Sequence, residues 1–598
     1  MSGKTTRKNS VLLGGLLGPG LLILLFGYFI PLILLFIISF YQGIPGSGIM
    51  KQTFTLENYA RFFDPYYAEV LYTTIKVASL STLLSLALGY PIALLLARSS
   101  SKVRNILLAI VLTPLLTNVV ARTLGLMIML GRHGPINQLL GLFGVPKIDF
   151  IPGELGIVIG LTQVFMPYMI LSISSVLSNI NFSLQEAARD LGCNAFTAFW
   201  KIIFPLSMPG VVAGSLFVFL LSFSSFVTPR LLGGGKVMVM TMLIYQQAMQ
   251  LLNWPFAAAV AIILLLVSIV LVTLYSKFTG NVEARQVITS SSSRAIDKQD
   301  GYGFWDRFSD WRYELVNSLS RLLSKGFGWL SFLKKLAPLT QYLARVGYLL
   351  ILLFIIMPLP VVILSSFSQS SMITFPPMGY SVKWYSGLLE RMEYIRSFLL
   401  SLRIALLCVV ISLTCGTLAS LALVRYNFRG KEIMKSLFLS PLMLPAVIVG
   451  ISILRFLVSI GWVATFKGIL LAHLVLTTAY VVRTISASLV GFDITLEEAA
   501  RDLGANAFYT FRHVTLPIIK PGLIVAGIFA FIVSFDETTV SMFITGGRTI
   551  TLSVRIFSQL EYGLDPTVTA ISSLLILMAV GALFVIGKVF GLEKFSIQ

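Results

Sequence analysis

The sequence is dominated by long apolar runs. Twelve stretches of about 20 mostly apolar residues are each long enough to cross a bilayer as a helix. Backbone polar groups in lipid must find their hydrogen bonds within the chain, and no stretch alternates as a barrel strand does, so helices are the expected element. The predicted spans are 11–41, 69–97, 105–130, 155–178, 209–229, 256–277, 346–367, 395–424, 436–462, 466–489, 522–543 and 568–592.

The composition excludes a soluble fold. Of the 598 residues, 56% are hydrophobic and only 12% are charged, whereas a soluble domain has about 25% charged residues. A formal net charge of +20 would suggest a nucleic-acid partner in a soluble protein, but in a membrane protein Lys and Arg collect on cytoplasmic loops. We therefore predict an all-α polytopic membrane protein with about 12 transmembrane helices and no nucleic-acid partner.

Basic loops predict the orientation of the chain in the membrane. Lys and Arg are concentrated at the N-terminus and in the short loops after the second and eighth predicted spans. Because such residues stay on the cytoplasmic side, both termini are expected in the cytoplasm. The prediction is two homologous six-helix halves. They are divided into a first span with its outer loop (1–68), a first core (69–278), a linker (279–345), a seventh span with its outer loop (346–394) and a second core (395–592).

The linker has a pattern of its own. Between Asp300 and Lys335, large apolar residues recur every three or four positions among basic ones. This spacing predicts an amphipathic helix on the inner membrane surface. Either a simple tether between the halves or a regulatory, lipid-sensing element fits this pattern.

An internal repeat relates the two halves. The seven residues Glu186–Gly192 recur unchanged as Glu498–Gly504, and fourteen of the 25 positions in 186–210 are identical in 498–522. Both copies follow the fourth span of their half, on the predicted cytoplasmic side. Their position and identity indicate a duplicated surface element with one function.

Local signals in the repeat predict a helix, a tight turn and a second helix. Ser183 with Glu186, and the equivalent Thr495 with Glu498, fit a capping box at the first helix start. A glycine in each copy, Gly192 or Gly504, is expected to end that helix in a left-handed conformation. Asn194 and Asn506 are expected to cap the second helix, and Pro205 and Pro517 to end it. The apolar residues of this element, including Phe196 and Phe508, indicate a docking surface for a partner.

The repeat resembles the EAA loop of type I ABC importer permeases, here over 183–208 and 495–520. The two halves resemble the two spermidine/putrescine-type permeases joined in one chain. The resemblance implies that the loops dock two ABC ATPase subunits and couple ATP hydrolysis to transport. The coupling residues that it implies are Glu186, Ala187, Asp190, Gly192 and Phe196 in the first loop and Glu498, Ala499, Asp502, Gly504 and Phe508 in the second.

The remaining expectations follow from the same likeness and from missing motifs. The sequence has no phosphate-binding loop and no catalytic or metal-ligand cluster. We expect no enzyme activity and no cofactor in this chain, with ATP and Mg²⁺ bound by the partner ATPase. The resemblance also implies a bacterial inner-membrane location and an extracytoplasmic solute-binding protein. An ion-coupled secondary transporter, a distant alternative, leaves the paired loops unexplained.

The substrate is the least determined prediction. The acids Asp536 and Glu537 lie in the eleventh predicted span, where ionisable groups are costly and suggest a pathway, and they favour a cation such as a polyamine. Lys76 and Arg403 occupy matching positions in the second and eighth spans and favour instead an anionic or zwitterionic solute such as an opine, a phosphonate or a ferric complex. Aromatic residues that could line the path are Phe223, Phe226 and Tyr480.

Overall fold

The computed structural model describes residues 2–44, 46, 48–193, 195–290, 337–563 and 565–590. The predicted amphipathic helix of the linker and the predicted cap at Asn194 lie outside these residues. Within them the chain is mostly helical, and one antiparallel pair of two-residue strands lies in the loop after the first span.

The first half contains fourteen helices and the short strand pair. They are α1 Ser2–Leu24, a π-helical segment Leu25–Phe29, α2 Ile30–Ile38, β1 Gln42–Gly43, β2 Met50–Lys51, α3 Glu57–Arg61, α4 Pro65–Arg98, α5 Ser101–Leu116, α6 Val119–Leu130, α7 Pro135–Leu142, α8 Glu154–Leu177, α9 Ser183–Asp190, α10 Ala195–Ala198, a π segment Phe199–Ile203, α11 Phe204–Phe223, α12 Val227–Gly233, α13 Met240–Tyr245, a π segment Gln246–Gln250 and α14 Trp254–Ser290.

The second half repeats most of this order. Its helices are α15 Ala337–Ile356, α16 Pro358–Ser365, α17 Lys383–Glu390, α18 Met392–Arg425, α19 Lys431–Leu439, a 3₁₀ turn Ser440–Leu442, α20 Ala446–Ser459, α21 Phe466–Val490, α22 Thr495–Asp502, α23 Ala507–Thr510, a π segment Phe511–Thr515, α24 Leu516–Asp536, α25 Thr539–Ile544, α26 Leu552–Tyr562 and α27 Thr567–Phe590.

Three of the predicted spans are bent pairs of helices. Among the described residues, nine helices are long and apolar enough to cross a membrane, and counting each bent pair as one span raises the total to twelve. The third and ninth spans, predicted as single helices, bend by 102° and 96°, and the seventh bends by 51°. In the third span the break falls at Thr117 and Asn118, where the Asn118 side chain accepts from the Ala121 N–H at 3.0 Å and starts α6. In the ninth it falls just before α20.

The fifth and eleventh spans begin and end earlier than predicted. The helical chain runs without a break from the second helix of each repeat through a π segment into the membrane, ending at Phe223 or Asp536. Pro205 and Pro517 therefore do not end a helix, and that prediction is wrong. Each proline lies directly after the π segment, near the start of the next α-helical stretch, where its missing N–H is tolerated.

Each half contains a core of three long helices, and the first span of the other half packs against its helices. α4, α8 and α11 pack together, as do α18, α21 and α24. α1 and α2 lie against α18 and α20 of the second half, while α15 and α16 lie against α5 and α6 of the first. At one such crossing a Cβ on Gly125 would lie 2.3 Å from the Pro358 carbonyl oxygen, so only glycine allows this approach. The halves are therefore interlocked.

Candidate docking loops and central acidic site

The two repeats fold into the same exposed helix–turn–helix, which we call the docking loops (183–203 and 495–515). Gly192 and Gly504 end α9 and α22 with φ of +92° and +90°. The following amides, of Cys193 and Ala505, donate back to Ala188 and Ala500 at 3.0 and 3.1 Å. This is a Schellman ending, so the predicted left-handed glycines are confirmed.

The helix starts differ from the prediction. The Ser183 N–H donates to Asn181 Oδ1 at 3.0 Å, and the Thr495 N–H donates to Asp493 Oδ1 at 3.0 Å. The acceptor thus lies two residues upstream of each N–H, in an Asx turn, and the predicted capping boxes are wrong. Hydrogen bonding to Thr495 also holds the pKa of Asp493 below its usual value. The predicted cap at Asn506 is confirmed, because its Oδ1 accepts from the Tyr509 N–H at 2.8 Å.

All ten predicted coupling residues are exposed to solvent. They are Glu186, Ala187, Asp190, Gly192, Phe196, Glu498, Ala499, Asp502, Gly504 and Phe508. The most exposed apolar side chains are Leu191 and Leu503, at 87% and 89%, which the sequence reasoning did not single out. Their identity in both copies of the repeat was the signal for them. Each docking loop therefore exposes a leucine and a phenylalanine together with charged residues.

The docking loops are attached to their bundles by different contacts. In the second, Arg425 at the end of α18 pairs with Glu497 at 3.3 Å, and Thr515 donates to Glu497 at 2.8 Å. In the first, Arg98 at the end of α4 donates to the neutral Gln185. The sequence reasoning missed both attachments, because each arginine is distant in sequence from its partner.

The predicted acid pair lies at a break between helices. Asp536 is the last residue of α24 and of the eleventh span, whereas Glu537, predicted inside the span, lies in the break before α25. Asn118, in the break between α5 and α6, donates to the Asp536 carboxylate and to Ser553 Oγ, the latter at 3.0 Å. Glu537 accepts from the Val540 N–H at 2.6 Å. Two breaks from opposite halves therefore meet at Asp536.

Other charged and aromatic groups surround this acidic site. Tyr480 lies within electrostatic range of Glu537 and of Tyr168. Arg122, only 3% exposed, donates to the Val164 carbonyl at 3.3 Å and lies within electrostatic range of Asp536. A cavity of about 480 Å³ between α18, α24 and α27 has an apolar lining, with Asn118 and Asp536 among the few polar residues in its wall. Asp536 and Glu537 are thus adjacent, with Tyr480 in electrostatic range of Glu537, and their role in a path stays a prediction.

Four other predicted path residues have different surroundings. Lys76 pairs with Glu154 at 2.8 Å, so its charge is already balanced. Arg403 is exposed on α18. Phe223 and Phe226 are each 1% exposed, and Phe226 packs in the core, with ring centroids 5.1 Å from Tyr245 and 6.0 Å from Phe557. Within the described part of the chain, no group of three or more His, Cys, Asp or Glu could hold a metal ion.

A helical membrane bundle with two interlocked, repeated halves and a pair of exposed loops defines a polytopic transport permease. Residues 89–282 and 412–590 each match the family described as binding-protein-dependent transport system inner membrane component. These segments cover more than half of the chain, which therefore belongs to this family, with one domain in each half. It is an importer permease of the ABC type.

Relatives of known identity match one half at a time. The chain is 36% identical over 255 residues to the spermidine/putrescine transport system permease protein PotB of Haemophilus influenzae, covering 42% of this chain and 88% of the relative. It is 30% identical over 226 residues to the corresponding PotC of Escherichia coli, covering 38% and 85%. A bacterial alginate ABC transporter in complex with its periplasmic protein aligns at 17% identity and a TM-score of 0.40, covering 47% of this chain and 98% of that one. The chain is thus consistent with two fused permeases.

Proposed function

We propose that this chain supplies both membrane-spanning halves of an ATP-driven importer that carries a polyamine-type cation. The observation that carries the proposal is the pair of matched, exposed docking loops in one chain, each joined without a break to a membrane helix. The names of the two relatives, both permeases of spermidine/putrescine transport, support the choice of solute.

The docking loops suit one ATPase subunit each. The first docking loop exposes Leu191 and Phe196, and the second exposes Leu503 and Phe508. Acidic and basic residues neighbour them in the sequence. Apolar groups left in solvent at equivalent positions are stabilised when a partner covers them. In this proposal ATP and Mg²⁺ bind to the ATPase pair, and this chain contributes only the surfaces that the pair moves.

A continuous helix connects docking to the path. The stretch Ala507–Asp536 is 30 residues long, which at 1.5 Å per residue spans about 45 Å. Its first turns carry Phe508 of the docking loop, and its last residue is Asp536. Rotation or displacement of the docking loop would therefore reach the acidic site through one helix, and Phe196–Phe223 would serve the first half in the same way.

Alternating access follows from this lever arrangement. ATP binding would draw the two docking loops together and open the helix ends on the outer side, and hydrolysis would reverse the motion. Near-complete switching between two states needs about 5.5 kcal/mol of differential binding. In this proposal the ATPase pair supplies that energy, and a solute-binding protein on the outer side delivers the solute. The chain would lie in the bacterial inner membrane with both termini in the cytoplasm.

The charges at the acidic site support a cationic solute. Asp536 and Glu537 are adjacent carboxylates at a break between helices, with the hydroxyl-bearing Tyr480 in electrostatic range of Glu537. Such groups in a membrane protein indicate a pathway. An anionic solute is less favoured, because Lys76, one of the two bases proposed to attract it, is already paired with Glu154, and Arg403 lies exposed on α18. Arg122 makes the site less negative and would limit how many positive charges it holds at once.

The test is uptake of radiolabelled spermidine and putrescine into proteoliposomes. These would contain this chain with the ATPase and solute-binding protein encoded beside it, with ATP trapped inside. We expect uptake that requires ATP and survives an ionophore. Uptake that requires an ion gradient and no ATPase would support a secondary transporter instead, and ATP-driven uptake of an opine or phosphonate but no polyamine would correct the substrate.

A further inference from the structure

One of the positions at which the two docking loops differ carries a charge in the second loop alone. Glu497 of α22 and Gln185 of α9 are 312 residues apart, the same spacing as the rest of the repeat. The partner in each case is the last residue of a core helix, Arg425 of α18 or Arg98 of α4. The same contact is therefore an ion pair in the second half and a hydrogen bond to a neutral amide in the first.

Glu497 joins three elements of the second half. Its Oε1 lies 3.3 Å from Arg425 Nε, and the same oxygen accepts from Thr515 Oγ1 at 2.8 Å. Thr515 is the residue just before α24, which leads to Asp536. The Glu497 side chain is only 5% exposed and that of Arg425 11%. Arg425 is also held over the Phe492 ring, 5.0 Å from its centroid.

At the position equivalent to Glu497, the first docking loop has a neutral side chain. Gln185 is half-buried, and the residue equivalent to Thr515 is Ile203, which is fully buried and has no hydroxyl. Arg98 lies over Phe182 at 4.6 Å and donates to Gln185. An amide acceptor can exchange this hydrogen bond for water when the loop moves, whereas a buried carboxylate cannot lose its cation without a large desolvation cost.

We propose that Glu497 is a positioning residue that locks the second docking loop to α18 and α24, so that this loop transmits the ATPase motion to the acidic site more rigidly than the first. The inference rests on the proposed coupling function of the loops. A swing of α22 relative to the membrane helices would separate a buried ion pair, so α22, α18 and α24 move together. At the equivalent position the first docking loop has the hydrogen bond from Arg98 to the neutral Gln185, so α9 is held less rigidly against α4 than α22 is against α18.

The first test compares Glu497→Gln with Glu432→Gln, the same change at an exposed carboxylate of α19 outside the docking loops, in the complex with the ATPase. We expect Glu497→Gln to lower the solute taken up per ATP hydrolysed about tenfold while ATPase co-purification persists. Glu432→Gln should change the ratio less than twofold. Exchanging the charges, Arg425→Glu with Glu497→Arg, should restore at least part of the ratio. A loss of folding alone would instead remove the ATPase from the purified complex and lower hydrolysis and uptake together.

The second test uses this chain alone in lipid nanodiscs and does not depend on transport. Amide hydrogen exchange in α22 should be at least tenfold slower than in α9, and Glu497→Gln should remove most of this difference. Equal exchange in the two wild-type helices would overturn the inference even if ATP-driven uptake is found. An unchanged uptake ratio in Glu497→Gln would overturn it too, whereas failure of wild-type uptake with the exchange difference intact would contradict the proposed function.

Discussion

The helices that lead inward from the two docking loops end in different chemistry. In the second half, α24 ends at Asp536, whose carboxylate accepts from Asn118 of the first half. In the first half, α11 ends at Phe223, and the equivalent of Asp536 is Ser224, whose hydroxyl donates to the Leu220 carbonyl of its own helix at 2.7 Å. One end is an acidic site shared between halves, and the other is satisfied locally.

The first half carries a base where the second carries an apolar residue. Arg230 of α12 donates to Glu561 of α26 at 2.9 Å. Both side chains are mostly buried, so this ion pair links the two halves. The position equivalent to Arg230 is Met542. Duplication thus preserved the scaffold and the docking surface, while the charges at the centre diverged. Under the proposed function, the difference teaches that symmetry is kept where two ATPase subunits would bind and is dispensable where the solute would pass.

The largest expected effect comes from breaking this asymmetry at Asp536. Removing one member of a buried charge interaction costs about 3 kcal/mol or more, which corresponds to a change of at least about 100-fold in an equilibrium or rate constant. Asp536→Asn should therefore lower kcat/KM for spermidine uptake by about 100-fold with ATPase binding retained. Ser224→Ala, at the equivalent position, is the control and should change uptake less than about threefold. Equal losses in both variants would remove Asp536 from the solute path.

The docking surfaces should respond symmetrically, unlike the centre. Leu191 and Leu503 are equally exposed, so Leu191→Asp and Leu503→Asp should each weaken ATPase binding by about tenfold, because burying an added charge in an apolar contact is unfavourable. Affinity can be measured by titrating labelled ATPase onto this chain in nanodiscs. Leu142→Asp, the same change at an exposed leucine of α7 outside the docking loops, should leave the affinity unchanged. If neither aspartate variant binds more weakly, the docking assignment is wrong.

The ion pair between Arg230 and Glu561 should contribute to stability. Arg230→Gln and Glu561→Gln should each destabilise the folded chain by about 1–3 kcal/mol, since a charged hydrogen-bonding partner is left without its counterpart. The double variant should be less destabilised than the sum of the two. Denaturant unfolding in detergent provides the measurement, and additive effects would mean that the pair contributes little.

The smallest expected effect is at the two glycine turns. Gly192→Ala and Gly504→Ala place a Cβ in a left-handed conformation, at a cost of about 1–2 kcal/mol. No atom lies within 4 Å of the added Cβ at either position, so the cost is in the backbone alone. Both variants should lower the protection of the adjacent helix from hydrogen exchange to a similar extent. A much larger effect in one loop would show a packing difference between the turns.

Local features of the sequence predicted much of the fold. Span number followed from run length, and the glycine turns and the Asn506 cap followed from residue type. The bends at Asn118 and before α20 were missed because two or three residues without a strong charge hardly change the hydropathy of a long run. The helix starts were missed because Asn181 and Asp493 compete with the predicted caps for the same amides.

The candidate site was predictable only in part. Asp536 and Glu537 stand out because acids are rare in apolar runs, and the docking residues stand out because they recur. No sequence feature connects Asn118 with the acidic site, because Asn118 lies 418 residues from Asp536. Glu497 gave no signal either, because a surface helix with several acids does not reveal that one of them is buried against Arg425.

By itself, the sequence determined that the chain is a helical membrane protein with two related halves and twin docking loops. Those properties depend on hydropathy, on helix-end residues and on repetition, all of which are local along the chain. Only the tertiary structure decided that each half is covered by the first span of the other, that two helix breaks meet at Asp536 and that one loop is held by a buried ion pair. Apolar helix faces are chemically alike, so which face meets which depends on shape and on contacts between distant residues.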